Sequence, residues 1–153
     1  MADKERTLVL VKPDGVQRGL IGTIINRLEN RGLKIIGLKF LQLTQDLAHR
    51  HYAAHKDKPF FPGLVNFITS GPITAIVFEG ENAVEAVRQS MGVTDPIKAP
   101  LGTIRGDFGL NIGRNLIHGS DSPESATYEI SIYFRPEELT KWNWIQENWI
   151  TES

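Results

Sequence analysis

The chain has 153 residues, with 17 Lys and Arg against 18 Asp and Glu, 41% hydrophobic residues, 23% charged residues and no Cys. Such a chain forms one domain, spanning residues 1–153, and its net charge of −1 argues against a dedicated nucleic-acid binder. The lack of Cys removes disulfides, thiolate nucleophiles and Cys-based zinc sites. Met1 to Arg6 lack the apolar segment of a signal peptide, and no apolar run is long enough to span a bilayer. The expectation is a cytoplasmic protein with no membrane partner. The charge is uneven: residues 1–118 hold 15 bases and 11 acids, whereas residues 119–153 hold 2 bases and 7 acids. That pattern suits a basic site for an anionic ligand, built mostly before residue 119.

Thr7-Leu8-Val9-Leu10-Val11 is a β-branched-rich apolar run and reads as a buried strand ending in a turn at Lys12-Pro13-Asp14-Gly15. Leu20, Ile21, Ile24, Ile25 and Leu28 have helical spacing over 20–30, and Gly32 follows as a stop. Lys34 to Leu43 reads as a second strand. Thr44 caps a helix from Gln45 to about His55, and a short helix is expected over Leu64 to Thr69. Ile73 to Glu79 is a third strand, and Asn82 is the expected cap of a helix ending at Met91. Residues 92–119 carry six glycines and read as a long functional loop. Ser122-Pro123 starts a helical turn. The alternation of Ile130, Ile132 and Phe134 with Glu129, Ser131 and Tyr133 predicts a fourth strand over Glu129 to Phe134. The expected fold is a ferredoxin-like βαββαβ α+β sandwich, a four-stranded antiparallel sheet with helices covering one face.

No Walker A motif is present, and Gly15, Gly19 and Gly22 do not have dinucleotide-fingerprint spacing. A phosphate ligand would therefore depend on side chains. Arg88, Arg105 and Arg114 are candidates, with Lys12 at a strand end. His51 and His55 stand four apart on an expected helix, a zinc-compatible spacing without an evident third ligand. His118 sits in Asn115-Leu116-Ile117-His118-Gly119-Ser120-Asp121, where Gly119 leaves room beside the imidazole. A neutral imidazole is a competent nucleophile near pH 7 once a partner fixes its tautomer, and Glu129 is the candidate partner. A structural histidine beside a turn is the alternative.

These residues carry a family resemblance. Asn115 to Asp121 match the pattern Asn-x-x-His-Gly-Ser-Asp, and Lys12-Pro13-Asp14-Gly15, His51-Tyr52 with His55, Pro59-Phe60-Phe61, Ser70-Gly71-Pro72 and Gly102 to Phe108 match in order. The sequence resembles nucleoside diphosphate kinases from about Glu5 to Glu152. The resemblance implies transfer of the γ-phosphate of ATP, or of another nucleoside triphosphate, to a nucleoside diphosphate in two steps, with broad base specificity. His118 would carry the phosphoryl group, with Glu129 on its other nitrogen and Ser120 close by. Lys12 and Asn115 would hold the sugar hydroxyls, Lys12 also approaching the transferring phosphate. Arg88, Thr94 and Arg105 would bind the phosphates, with Tyr52 and His55 nearby. Phe60 would stack on the base, with Leu64 and Ile112 lining its slot. Mg²⁺ is expected to arrive with the nucleotide. The family forms homo-oligomers, and the full-length tail favours a hexamer over a tetramer. Two readings compete: a non-catalytic nucleotide-binding module on the same sandwich, and an RNA-binding sheet.

Overall fold

The computed structural model describes residues 4–152 of the chain. Strand β1 (Glu5–Val11) pairs with β3 (Ile73–Gly80) on one side and with β4 (Ile117–Gly119) on the other, and β2 (Lys34–Leu41) adds to β3. The strand order is β2-β3-β1-β4 and every pairing is antiparallel, which is the ferredoxin-like arrangement expected. Thr7 to Val11 are wholly buried because β1 is an inner strand.

Helices cover both faces of this sheet rather than one. On one face α2 (Ile21–Asn30), α5 (Ala83–Met91) and α6 (Ile104–Phe108) pack over Val9, Val11, Ile76 and Phe78. On the other face α3 (Gln45–His51), α4 (Phe61–Ile68) and α7 (Pro123–Tyr133) pack over Leu8, Leu10, Ala75 and Val77. The apolar runs of β1 and β3 are continuous for that reason: both sides of each strand are core.

The expected fourth strand is the main correction. Glu129 to Tyr133 form the end of α7, and Phe134 is the extended residue that closes it, so no strand forms here. The Ser122 hydroxyl accepts the Ser125 amide at 3.1 Å and Pro123 occupies the first turn, so the helix starts where the sequence indicated and then continues. Ala126, Ile130 and Tyr133 are buried at helical spacing, and Ile132 is buried beside them. Because both sides of this stretch meet core, its helical stripe is blurred and imitates a strand. The true fourth strand is three residues long and lies in the glycine-rich segment, which also contains α6, capped by the Thr103 hydroxyl on the Gly106 amide at 3.0 Å.

Smaller differences have local causes. Lys12 to Gly15 do not form a simple turn but open α1 (Pro13–Gln17), with Pro13 in its first turn. The Thr44 cap is made, to the Leu47 amide at 3.2 Å, but α3 stops at His51 and residues Ala53–His55 tighten into a 3₁₀ turn. The fourth helix begins earlier than expected, at Phe61, because Pro62 fits its first turn. Asn82 has a left-handed φ of 51° and makes no side-chain cap. Glu5 of β1 takes that role, its Oε1 accepting the Val84 amide at 2.8 Å. Among the described residues, no helix is long and apolar enough to cross a membrane.

Candidate active site

β1 ends at Val11, and Lys12 turns the chain into α1, which leaves the lysine side chain at the end of the sheet. Beside it, β4 pairs Val9 with Gly119, Leu10 with His118 and Val11 with Ile117. Strand alternation sends Ile117 and His118 to opposite faces. Ile117 joins the core on the α2–α5 face. His118 faces α3 and α7, where His51 and Glu129 stand.

The chain enters β4 through a strained turn. Leu116 has a φ of 75°, and the Ile117 amide donates to the Asn115 carbonyl at 2.8 Å, closing a γ-turn. A bulky residue persists at positive φ only where its surroundings over-determine it. The Leu116 side chain is fully buried, its amide donates to Asp14 Oδ2 at 3.0 Å and its carbonyl accepts from the Lys12 amide at 2.9 Å. Arg105 ties the neighbours together. Its Nε donates to the Asn115 carbonyl (3.1 Å), Nη2 to the Ile117 carbonyl (2.6 Å) and Nη1 to the Gly92 carbonyl (3.1 Å).

His118 Nε2 lies 2.7 Å from Glu129 Oε1. A carboxylate only accepts, so Nε2 carries a proton, and in the neutral imidazole Nδ1 keeps its lone pair. The Ser120 hydroxyl donates to the same Oε1 at 2.9 Å and accepts the Leu8 amide at 3.2 Å. Burial pushes the Glu129 carboxyl up, but the His118 hydrogen bond, the neighbouring imidazoles of His118 and His51 and the Ser120 hydroxyl outweigh it and hold the acid below its ordinary range. Ser120 is fully buried and reaches the site through Glu129 rather than from the open side.

The cations form a second group. The Lys12 ammonium donates to Asn115 Oδ1, and Asn115 Nδ2 donates to the Thr94 carbonyl at 3.1 Å. Burial, with Arg105 and Arg114 adding to it against Asp14, lowers the Lys12 ammonium to about 8. Arg88 Nη1 donates to the Gly119 carbonyl at 3.1 Å and pairs with Asp121 Oδ1 at 2.8 Å. Burial and then the nearby Arg88 lower the Arg105 guanidinium to about 10, so it remains charged at neutral pH.

These groups line one open cleft of about 440 Å³. Lys12, Tyr52, His55, Phe60, Leu64, Arg88, Thr94, Arg105, Asn115, His118 and Glu129 all border it. Phe60 stands half exposed at the rim, its ring 5.6 Å from that of His55. Burial, with Glu129 adding to it, raises the Tyr52 phenol to about 12, so it is neutral at pH 7. Two expected residues are not in the lining: Ser120 lies behind Glu129, and Ile112 is 58% exposed outside the cleft. Arg114 stacks over Phe67 at 4.4 Å instead of entering the site. The space left by Gly119 faces away from the imidazole, since a Cβ there would meet Met91 Sδ at 2.5 Å.

Sequence reasoning missed several site residues. His51 is the last residue of α3; its ring lies 4.7 Å from that of His118, so it does not share a metal-binding helical face with His55. Tyr133 Oη lies 3.0 Å from His51 Nδ1, and Asp121 pairs with Arg88. The only signal for Tyr133 was helical spacing from Glu129, four residues earlier, which the strand expectation concealed.

The family profile described as nucleoside diphosphate kinase matches residues 5–139. A nucleoside diphosphate kinase from Carboxydothermus hydrogenoformans is 56% identical over 148 residues, covering 97% of this chain and 99% of that protein. One from Synechococcus elongatus is 57% identical over the same shares. The solved structure of a halophilic nucleoside diphosphate kinase from Halobacterium salinarum in complex with CDP superposes with a TM-score of 0.95 at 55% identity, covering 98% of this chain and all of that one. A nucleoside diphosphate kinase family protein from Babesia bovis gives 0.94 at 47% identity, covering 96% and 99%. With its fold, its histidine–carboxylate pair and its cation-lined cleft, the chain belongs to the nucleoside diphosphate kinase family, enzymes that transfer phosphate between nucleotides.

Proposed function

We propose that the transfer runs in two steps through His118. Nδ1 attacks the γ-phosphorus of a bound nucleoside triphosphate, a nitrogen–phosphorus bond forms, and the bond to the β-phosphate oxygen breaks to release a diphosphate. A terminal phosphate oxygen of a second diphosphate then attacks the same phosphorus, and the nitrogen–phosphorus bond breaks. No proton leaves the imidazole, because Nε2 keeps its hydrogen bond to Glu129 throughout. The observation that carries this reading is the free Nδ1, left by the 2.7 Å contact between Nε2 and Glu129, in a cleft shared with Lys12, Arg88 and Arg105. Phosphoryl transfer rests on positioning and charge compensation, and these three cations supply compensation.

Lys12 and Asn115 would hold the ribose hydroxyls, with Lys12 also approaching the transferred phosphate, and Arg88, Thr94 and Arg105 would hold the other phosphates. Arg105 already spends three N–H groups on carbonyls and has two left to offer. Tyr52 and His55 stand beside them. The exposed face of Phe60, with Leu64 beneath, supports stacking on any base, which is the basis for broad base use. The CDP held by the Halobacterium salinarum relative agrees with a diphosphate as acceptor. Among the described residues no group of three or more His, Asp or Glu could hold a metal ion, so Mg²⁺ would enter on the nucleotide phosphates and supply neutralisation of their charge. A homo-oligomer, hexamer ahead of tetramer, and a cytoplasmic location complete the proposal.

Incubation with γ-labelled ATP and Mg²⁺ should give an acid-labile, base-stable phosphoprotein that GDP discharges as labelled GTP. His118→Ala should not label. A wild type that never labels, or a His118→Ala variant that labels equally, would contradict the mechanism.

A further inference from the structure

His51 lies at the end of α3 with its ring 4.7 Å from that of His118, the two planes inclined at 74°. That is an edge-to-face contact with the nucleophile, separate from its hydrogen bond to Glu129. Tyr133 Oη makes one hydrogen bond among the described residues, to His51 Nδ1 at 3.0 Å. The Tyr133 ring also packs against His51, at 5.8 Å between centroids. Tyr133 is itself buried in the core under α7, one helical turn beyond Glu129. The same helix therefore carries both the carboxylate that binds His118 and the phenol that fixes the neighbour of His118.

We infer that His51, anchored by Tyr133, is a positioning residue for His118 and holds the imidazole in the one orientation that keeps Nε2 on Glu129 and Nδ1 toward the cleft. The inference rests on the phosphohistidine reading above. A single hydrogen bond to Glu129 leaves the ring free to tilt about that contact; a second wall at right angles removes the tilt. The groups facing His51 are His118 on β4, Glu129 and Tyr133 on α7, Tyr52 next in sequence and His55 in the following 3₁₀ turn. An uncharged His51 is needed in this setting, because His118 gains positive character as its Nδ1 bonds to phosphorus. Burial first, and then His118, hold His51 neutral.

The test compares wild type, His51→Phe, Tyr133→Phe and the double variant. His118 phosphorylation is followed from γ-labelled ATP with Mg²⁺ and from phosphoramidate, a donor with no nucleotide to position. ADP affinity is measured in parallel. His51→Phe keeps an aromatic ring and loses the hydrogen-bonding nitrogen; Tyr133→Phe loses one oxygen. Each single variant should phosphorylate more slowly from both donors, on the order of tenfold, with the ADP dissociation constant within about twofold of wild type. The double variant should be no slower than His51→Phe, because both changes act through one contact. Unchanged rates from phosphoramidate in Tyr133→Phe would overturn the inference even if His51→Phe failed to fold. Additive losses in the double variant would overturn it as well. A wild type that labels from neither donor would instead overturn the phosphohistidine reading.

Discussion

Single residues set the pH response of the site. Lys12 is the case with the clearest sign, because enclosure and the neighbouring guanidiniums lower its ammonium to about 8. A bound diphosphate favours the charged form, so binding above that value must take up a proton. Affinity for ADP should be flat below pH 8 and weaken above it by up to about tenfold per pH unit. Lys12→Gln should bind more weakly and lose this dependence. Calorimetric titrations from pH 7 to 9.5 check it, and a wild-type affinity that stays constant across that range would contradict it. At this scale the sequence was informative where chemistry demands a residue type. A phosphate site needs Lys and Arg, and a histidine nucleophile needs a carboxylate; of the candidates chosen on that ground, Lys12, Arg88, Arg105, His118 and Glu129 share one cleft, whereas Arg114 stacks on Phe67. His51 and Tyr133 could not, since their relation to His118 exists only after α3 and α7 have packed on the same face.

Between elements, the site depends on how closely β4 approaches α5. A Cβ on Gly119 would stand 2.5 Å from Met91 Sδ and 3.0 Å from Val87 Cγ1, both on α5 and both buried. Gly119→Ala should therefore destabilise the fold by about 1–3 kcal/mol, the usual range for overpacking a filled core. Urea melts would show it, and an unchanged midpoint would mean that the Met91 thioether moves aside without cost. The elements themselves were legible wherever one periodicity ruled: the apolar run of β1, the helical spacing of α2 and the Thr44 cap all appear near their expected positions. Two failures share a cause. Residues 129–134 alternate like a strand because α7 is buried on more than one side, whereas β4, at three residues, is too short to show any period. Its existence depends on pairing with β1, a partner more than a hundred residues away.

For the whole molecule, a net charge of −1 conceals a division of labour. The cations of the cleft come from α1, α5 and α6 and their flanks, and the chain after residue 119 carries the compensating acids. Large apolar side chains remain exposed at separate places: Phe40 on edge strand β2, Leu101 and Leu110 in the glycine-rich segment and Trp149 near the end of the chain. The proposed self-association would cover some of these side chains. Light scattering at several concentrations should give six times the chain mass of 17.1 kDa. A concentration-independent mass of one chain would contradict any oligomer, and four chains would contradict the hexamer.

The central claim is that phosphate is held on Nδ1 of His118 between two nucleotides. It can be read directly by ³¹P and ¹⁵N NMR of protein labelled at histidine, phosphorylated with ATP and Mg²⁺ and separated from nucleotide before any acceptor is added. The expected result is one phosphohistidine, coupled through Nδ1, that disappears when CDP is added and reappears as CTP. Phosphorus on Nε2, or no phosphohistidine during active transfer, would contradict it.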